Sequence, residues 1–133
     1  MCVLAVVCTG SVLIQQNVDR SNFFNRTWAE FKAGFGTITG NYWLGNDVLH
    51  QLTTCGSYKL HFDLQSLDTL KWFSAEYITF RVGNESTGYL MHAAGYTGNT
   101  SYDAFGYQSD EKFTTKDRDN DEDVGENCAL RVK

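Results

Sequence analysis

Proline is missing altogether from this 133-residue chain. Average usage of about 5% would supply several, and nothing in the sequence accounts for the absence. A basic surplus is missing too, since 11 Lys and Arg face 16 Asp and Glu, giving a net charge of -5 and a pI near 5.0. With no cationic surface to neutralise phosphates, nucleic acid is excluded as a partner class. No apolar run approaches the roughly 20 residues of a membrane-spanning helix. Val3-Leu4-Ala5-Val6-Val7 is apolar but short, without a positively charged lead-in, so it is a poor signal peptide and reads as a strand or an artefactual start. The four cysteines, Cys2, Cys8, Cys55 and Cys128, include no Cys-x-x-Cys pair of the kind that holds zinc. The three histidines, His50, His61 and His92, stand in no nucleophile–base motif. The carboxylates have no paired general acid in an apolar setting, so an enzyme is not expected.

What is present is enough for one domain with a real core: 42% of residues are hydrophobic and 14% aromatic. Val12-Leu13-Ile14 before Gln15-Gln16 reads as a short strand. Trp28, Phe31 and Phe35 share a helical face that Gly34 and Gly36 end. Asp47 to Leu52 reads as a second short helix, capped by Asn46 or Asp47. Tyr58, Leu60, Phe62 and Leu64 alternate with polar residues, the pattern of a half-buried antiparallel strand, and Phe73 to Val82 repeats the theme. Tyr89 to His92 suggests a third strand, and the polar, glycine-rich stretch beyond Gly95 suits long loops held by an ion. Trp28 and Trp43 are assigned to the core, and Trp72 is left open between core and sugar stacking.

The richest segment is Asp117-Arg118-Asp119-Asn120-Asp121-Glu122-Asp123-Val124-Gly125-Glu126-Asn127-Cys128, with six carboxylates in ten residues. Either a cation neutralises them or they stay spread in water as a solvated loop. Hard oxygen ligands without neighbouring His or thiolate pairs favour calcium over zinc or copper, and alternation lets Asp117, Asp119, Asp121 and Asp123 converge. The EF-hand pattern does not fit. From Asp117 its glycine position holds Glu122 and its terminal glutamate position holds Cys128; from Asp119 the same positions hold Val124 and Leu130. Asn25-Arg26-Thr27, Asn84-Glu85-Ser86 and Asn99-Thr100-Ser101 are glycosylation acceptor patterns in polar turns, which agrees with a secreted protein.

Taken together, Phe31-Lys32-Ala33-Gly34-Phe35-Gly36, Tyr42-Trp43-Leu44-Gly45-Asn46-Asp47-Val48-Leu49-His50, Tyr58-Lys59-Leu60-His61-Phe62-Asp63-Leu64 and Phe113-Thr114-Thr115-Lys116-Asp117-Arg118-Asp119-Asn120-Asp121 leading to Asn127-Cys128-Ala129 resemble the fibrinogen C-terminal domain family. Four blocks in the right order make a specific signal. The resemblance implies an α+β fold, with a central antiparallel sheet, short flanking helices and long calcium-stabilised loops. It divides the chain into a cropped N-terminal edge at 1–10 and a partial domain at 11–133. By resemblance Asp119 and Asp121 are the side-chain ligands of a structural Ca²⁺, the carbonyls of Asp123 and Gly125 complete the shell with water, and Asp117 is an outer charge. One residue more than the family's Gly-Asn-Cys separates Gly125 from Cys128. The family also implies that the disulfide partner of Cys128, that of Cys8, and most of a recognition pocket lie outside this sequence. Cys2 and Cys8, joined by an extended strand, are too far apart to bridge each other. Cys55 is expected either as a small buried residue or as an intermolecular link. The function implied is an extracellular recognition module. It is lectin-like, for acetylated carbohydrate in innate immunity, or else a protein-interaction module of matrix or signalling proteins, with oligomerisation through regions outside this chain.

Overall fold

The computed structural model describes residues 2–7 (backbone only), 10–19 and 21–131. Among them, strands β1 (Cys2–Val7), β2 (Ser11–Asn17), β3 (Phe35–Gly36), β4 (Tyr42–Trp43), β5 (Tyr58–Gln65), β6 (Trp72–Val82) and β7 (Met91–Gly98) form one antiparallel sheet in the order β3-β4-β2-β1-β5-β6-β7. Helices α1 (Trp28–Ala33), α2 (Asn46–Thr54) and α3 (Cys128–Arg131) flank it. The α+β class is as the sequence implied. Within the first ten residues, Cys2–Val7 forms an interior strand: β1 pairs with β2 on one side and β5 on the other.

The long strand β6 shows why simple alternation was insufficient. Ala75 and Tyr77 are buried, then Ile78 and Thr79 are both exposed, and Phe80 and Val82 are buried again. The ladder to β5 slips at that point, with Tyr58 opposite Phe80 but Leu60 opposite Tyr77. The extra residue is a β-bulge, and it moves the inward-facing set from odd to even positions. The core face is thereby preserved along all of β6, where it meets Ile14, Leu60 and Ala93.

Helix α1 starts at a reciprocal capping box. The Thr27 hydroxyl accepts from the Glu30 amide at 3.4 Å, and the Thr27 amide donates to Glu30 Oε2 at 2.8 Å. Its C-terminal residue is Ala33, so Phe35 lies in β3 and not on the helix; the positive φ of Gly34, +89°, turns the chain away. Phe35 still packs against Phe31 at 5.1 Å between ring centroids. Helix α2 is capped by Gly45, not by Asn46 or Asp47, and no side chain bonds its first amides. It runs to Thr54, where buried Thr53 fixes it to the sheet. The Thr53 hydroxyl donates to the Leu49 carbonyl at 2.8 Å and accepts from the Val82 amide at 3.0 Å.

A Cβ added at Gly34 would lie 2.5 Å from the Leu44 carbonyl oxygen, while one at Gly10 would meet nothing within 4 Å. Gly34→Ala combines that collision with a backbone conformation other residues resist, at a cost of about 1–3 kcal/mol. Urea unfolding should show that loss for Gly34→Ala and almost none for Gly10→Ala.

The stretch after Gly95 departs from expectation. Strand β7 begins at Met91, because Tyr89 adopts a left-handed φ of 49°, and it continues to Gly98. The loop beyond is held by aromatic packing and one carboxylate. Phe105 lies 4.8 Å from Phe62 and 5.5 Å from Tyr77, ring to ring. Asp103 Oδ1 accepts from the Tyr77 hydroxyl at 2.5 Å and from the Gly106 amide at 2.7 Å. Burial, with the adjacent carboxylate second, pushes the Tyr77 phenol well above its ordinary range.

Candidate metal hairpin and adjoining cleft

The acidic segment starts from a tight turn. Thr115 and Arg118 exchange backbone hydrogen bonds of 3.0 and 3.1 Å, and Thr115 is buried. Asp117, at the tip, faces α1: its Oδ1 accepts from the Trp28 amide and from the Thr115 hydroxyl, each at 2.9 Å. The expected convergence of all four alternating aspartates therefore does not occur, because one is committed to a helix terminus, where a negative charge is favoured. Two even-numbered residues also contact the body of the domain. Asn120 donates to the Phe113 carbonyl at 2.9 Å. The Arg118 guanidinium lies 4.0 Å over the Trp28 ring.

The remaining aspartates form successive turns. Asp119 Oδ1 accepts from the Asp121 amide at 3.3 Å, Asp121 Oδ1 from Asp123 at 3.0 Å, and Asp123 Oδ1 from Gly125 at 3.2 Å. The second oxygen of Asp121 accepts the Cys128 amide at 2.8 Å, which opens α3. That bond, foremost among several, holds the Asp121 carboxyl below the usual carboxylate range. For Asp117 the Trp28 amide does the same. The donor set fits a hard cation. It is all oxygen, the central carboxylate is held ionised, and the loop is exposed enough for water to join the shell. Among the described residues no three His, Cys, Asp or Glu side chains come together as a ready-made cage. A cation here would draw on two carboxylates, backbone carbonyls and water.

Both carboxyls give a signed pH expectation. Their folded pKa values lie below the ordinary 3.8, so their contribution is present above that value and lost as pH falls through the folded ones. The urea midpoint should drop in acid, and Asp117→Asn should flatten that drop. An unchanged acid limb in the variant would contradict the role of the Trp28 bond.

The other singled-out residues divide clearly. Asn25, Asn84 and Asn99 are all exposed. Asn84 also caps a turn, accepting from the Thr87 amide at 3.2 Å, and Asn99 accepts from the Ser74 amide at 2.7 Å. Cys128 is a free, exposed thiol, and Cys8, the other cysteine expected to pair beyond this sequence, lies outside the described residues. Cys55 is exposed at the end of α2, which overturns the buried reading. Trp28 and Trp43 are buried as expected, whereas Trp72 is 50% exposed. His50 bonds the Val82 carbonyl at 2.9 Å, His61 lies 3.2 Å from Asp63, and His92 lies 2.9 Å from Asp110. Sequence reasoning missed the Trp28, Lys32, Glu85 and Arg118 cluster. Its members are 4 to 90 positions apart, and only the Thr27/Glu30 capping box was a legible signal in that neighbourhood.

Beside the hairpin an apolar cleft of about 710 Å³ opens between the sheet face and α3, lined among others by Phe31, Trp43, Phe80, Met91 and Phe113, with Asp121 and Asp123 at its lip. Asn46 lies in its wall. Asn46 is 2% exposed, its oxygen accepts from Trp43 Nε1 at 3.1 Å, and its amide nitrogen has no partner among the described residues. A buried donor left in that state favours any occupant that brings an acceptor.

The family model for the C-terminal globular domain of fibrinogen beta and gamma chains matches residues 1–133. The chain belongs to the fibrinogen C-terminal domain family. Bovine fibroleukin is 40% identical over 97% of this chain but only 30% of its own length. The fibrinogen-like globe domain of human ANGPTL2 superposes with a TM-score of 0.82 at 40% identity, covering 88% of this chain and 53% of that one. A lamprey fibrin D-dimer, complexed with the peptide ligand Gly-His-Arg-Pro-amide, superposes with a TM-score of 0.77 at 28% identity, covering 91% and 43%. This fibrinogen-like chain thus spans about half the length of the solved relatives it matches. Among its described residues, no helix is long and apolar enough to cross a membrane.

Proposed function

We propose that this fibrinogen-like chain is an extracellular, calcium-stabilised module that binds polypeptide and catalyses no reaction. The observation carrying the reading is the cleft: its wall is apolar, it holds an unpartnered buried donor on Asn46, and its lip is anionic. Apolar side chains and a backbone carbonyl satisfy such a surface, and basic residues complement the lip. The peptide complex of the lamprey relative and the likeness to ANGPTL2 support the same class. Exposed acceptor asparagines support an extracellular setting. Ca²⁺, held by Asp119 and Asp121 with the carbonyls of Asp123 and Gly125, would neutralise the hairpin and fix α3 through Asp121. Its role there is structural.

Recognition of acetylated carbohydrate in innate immunity is the second reading, and exposed Trp72 favours it, since a sugar ring stacks on such a face. Two measurements separate the readings: retention on N-acetylglucosamine resin with and without EGTA, and fluorescence of the apolar dye anilinonaphthalene sulfonate. Passage through the resin, with dye binding that Met91→Asp removes, supports polypeptide recognition. Chelator-sensitive retention overturns it in favour of carbohydrate.

A further inference from the structure

The metal hairpin meets α1 through a cluster around Trp28. Arg118, between Asp117 and Asp119, stacks 4.0 Å over Trp28 and reaches within 3.7 Å of Glu85 Oε1. That same oxygen accepts from Trp28 Nε1 at 2.8 Å, and the other Glu85 oxygen pairs with Lys32 on α1. The Trp28 amide, meanwhile, donates to Asp117. Trp28 is 7% exposed, so its indole is clamped between the core and the guanidinium. Lys32 also lies 3.9 Å from Asp47, at the start of α2. The side chains of two consecutive hairpin residues therefore end on one tryptophan, while the next aspartate is a proposed ligand.

The geometry points to Arg118 as a positioning residue that couples the hairpin's outer aspartates to α1 through Trp28 and Glu85. Glu85 offsets the guanidinium charge, so Arg118 can sit beside an anionic loop as a brace. This rests on the calcium reading above. Two effects of removing Arg118 oppose each other. As a bare positive charge it repels Ca²⁺, so its loss would tighten binding. As a brace it holds Asp119 in place, so its loss weakens binding by roughly tenfold, the lower end for groups that orient metal ligands. Lysine separates the two, because it keeps the charge but not the planar stacking.

The experiment is calcium titration of the full chain by calorimetry and by tryptophan emission, on wild type, Arg118→Ala, Arg118→Lys and Trp28→Phe, with circular dichroism reporting the fold of each. The expected result is an emission change in wild type that Trp28→Phe abolishes, and binding about tenfold weaker in both arginine variants. Folded Arg118→Ala that binds as tightly as wild type or more tightly overturns the coupling and leaves the calcium site standing. So does wild-type binding without any change in emission. No calcium heat in wild type overturns both readings.

Discussion

Replacing Phe113 by alanine is expected to destabilise the domain by about 3 kcal/mol, the low end for an aromatic-to-alanine change because the ring is only half-buried. Phe113 sits where the hairpin leaves the core. Its centroid is 5.1 Å from Phe31 and 6.1 Å from both Trp28 and Trp43, so one ring touches α1, the β4 tryptophan and the floor of the cleft. Its carbonyl receives the Asn120 side chain, and its amide donates to the Gly88 carbonyl at 2.9 Å. Truncation removes the contact on which the hairpin's approach depends and enlarges a cleft that is already open. Urea unfolding followed by tryptophan emission measures it. A loss under about 1 kcal/mol, the range of peripheral substitutions, would show that the hairpin is anchored elsewhere.

The second large effect is expected at Asp121. Asp121→Asn should abolish the calcium-dependent rise in thermal midpoint, because this residue is both a proposed ligand and the acceptor for the amides of Asp123 and Cys128. Losing its charge weakens those bonds as well as the cation site. Asp110→Asn, which loses a pairing with exposed His92 on β7, should keep the full calcium response. Scanning calorimetry in excess Ca²⁺ and in EGTA compares the two. A response retained in Asp121→Asn would remove this residue from the ligand set.

Much of this was legible in the sequence because the local and global signals agree. Alternation in Tyr58 to Leu64 found β5, and of the two readings open for Val3 to Val7, a strand or an artefactual start, the structure has the strand. What alternation could not supply was the bulge at Ile78 and Thr79, since a slip of register exists only against a partner strand. Phe35 was misplaced onto α1 because its spacing suits a helix, whereas Gly34, at positive φ, ends the helix before it. The polar, glycine-rich composition after Gly95 suits long loops but does not show that half-buried Phe105 packs on buried Tyr77, a contact across 28 positions. At the hairpin, composition identified the donor atoms. Which carboxylate turns inward depends on the Trp28 amide, 89 residues earlier, and no periodicity carries that information. Cys55 was misjudged because a small apolar side chain at a helix end fits either environment, and the end of α2 faces solvent.

Isothermal titration of Ca²⁺ into the chelator-treated protein tests the central claim most directly. The account predicts one ion per chain, with a matching rise in thermal midpoint and no equivalent response to Mg²⁺, which resists giving up its water for carbonyl ligands. Absence of heat together with an unmoved midpoint would contradict it, leaving the acidic hairpin as a solvated loop held by its own amides.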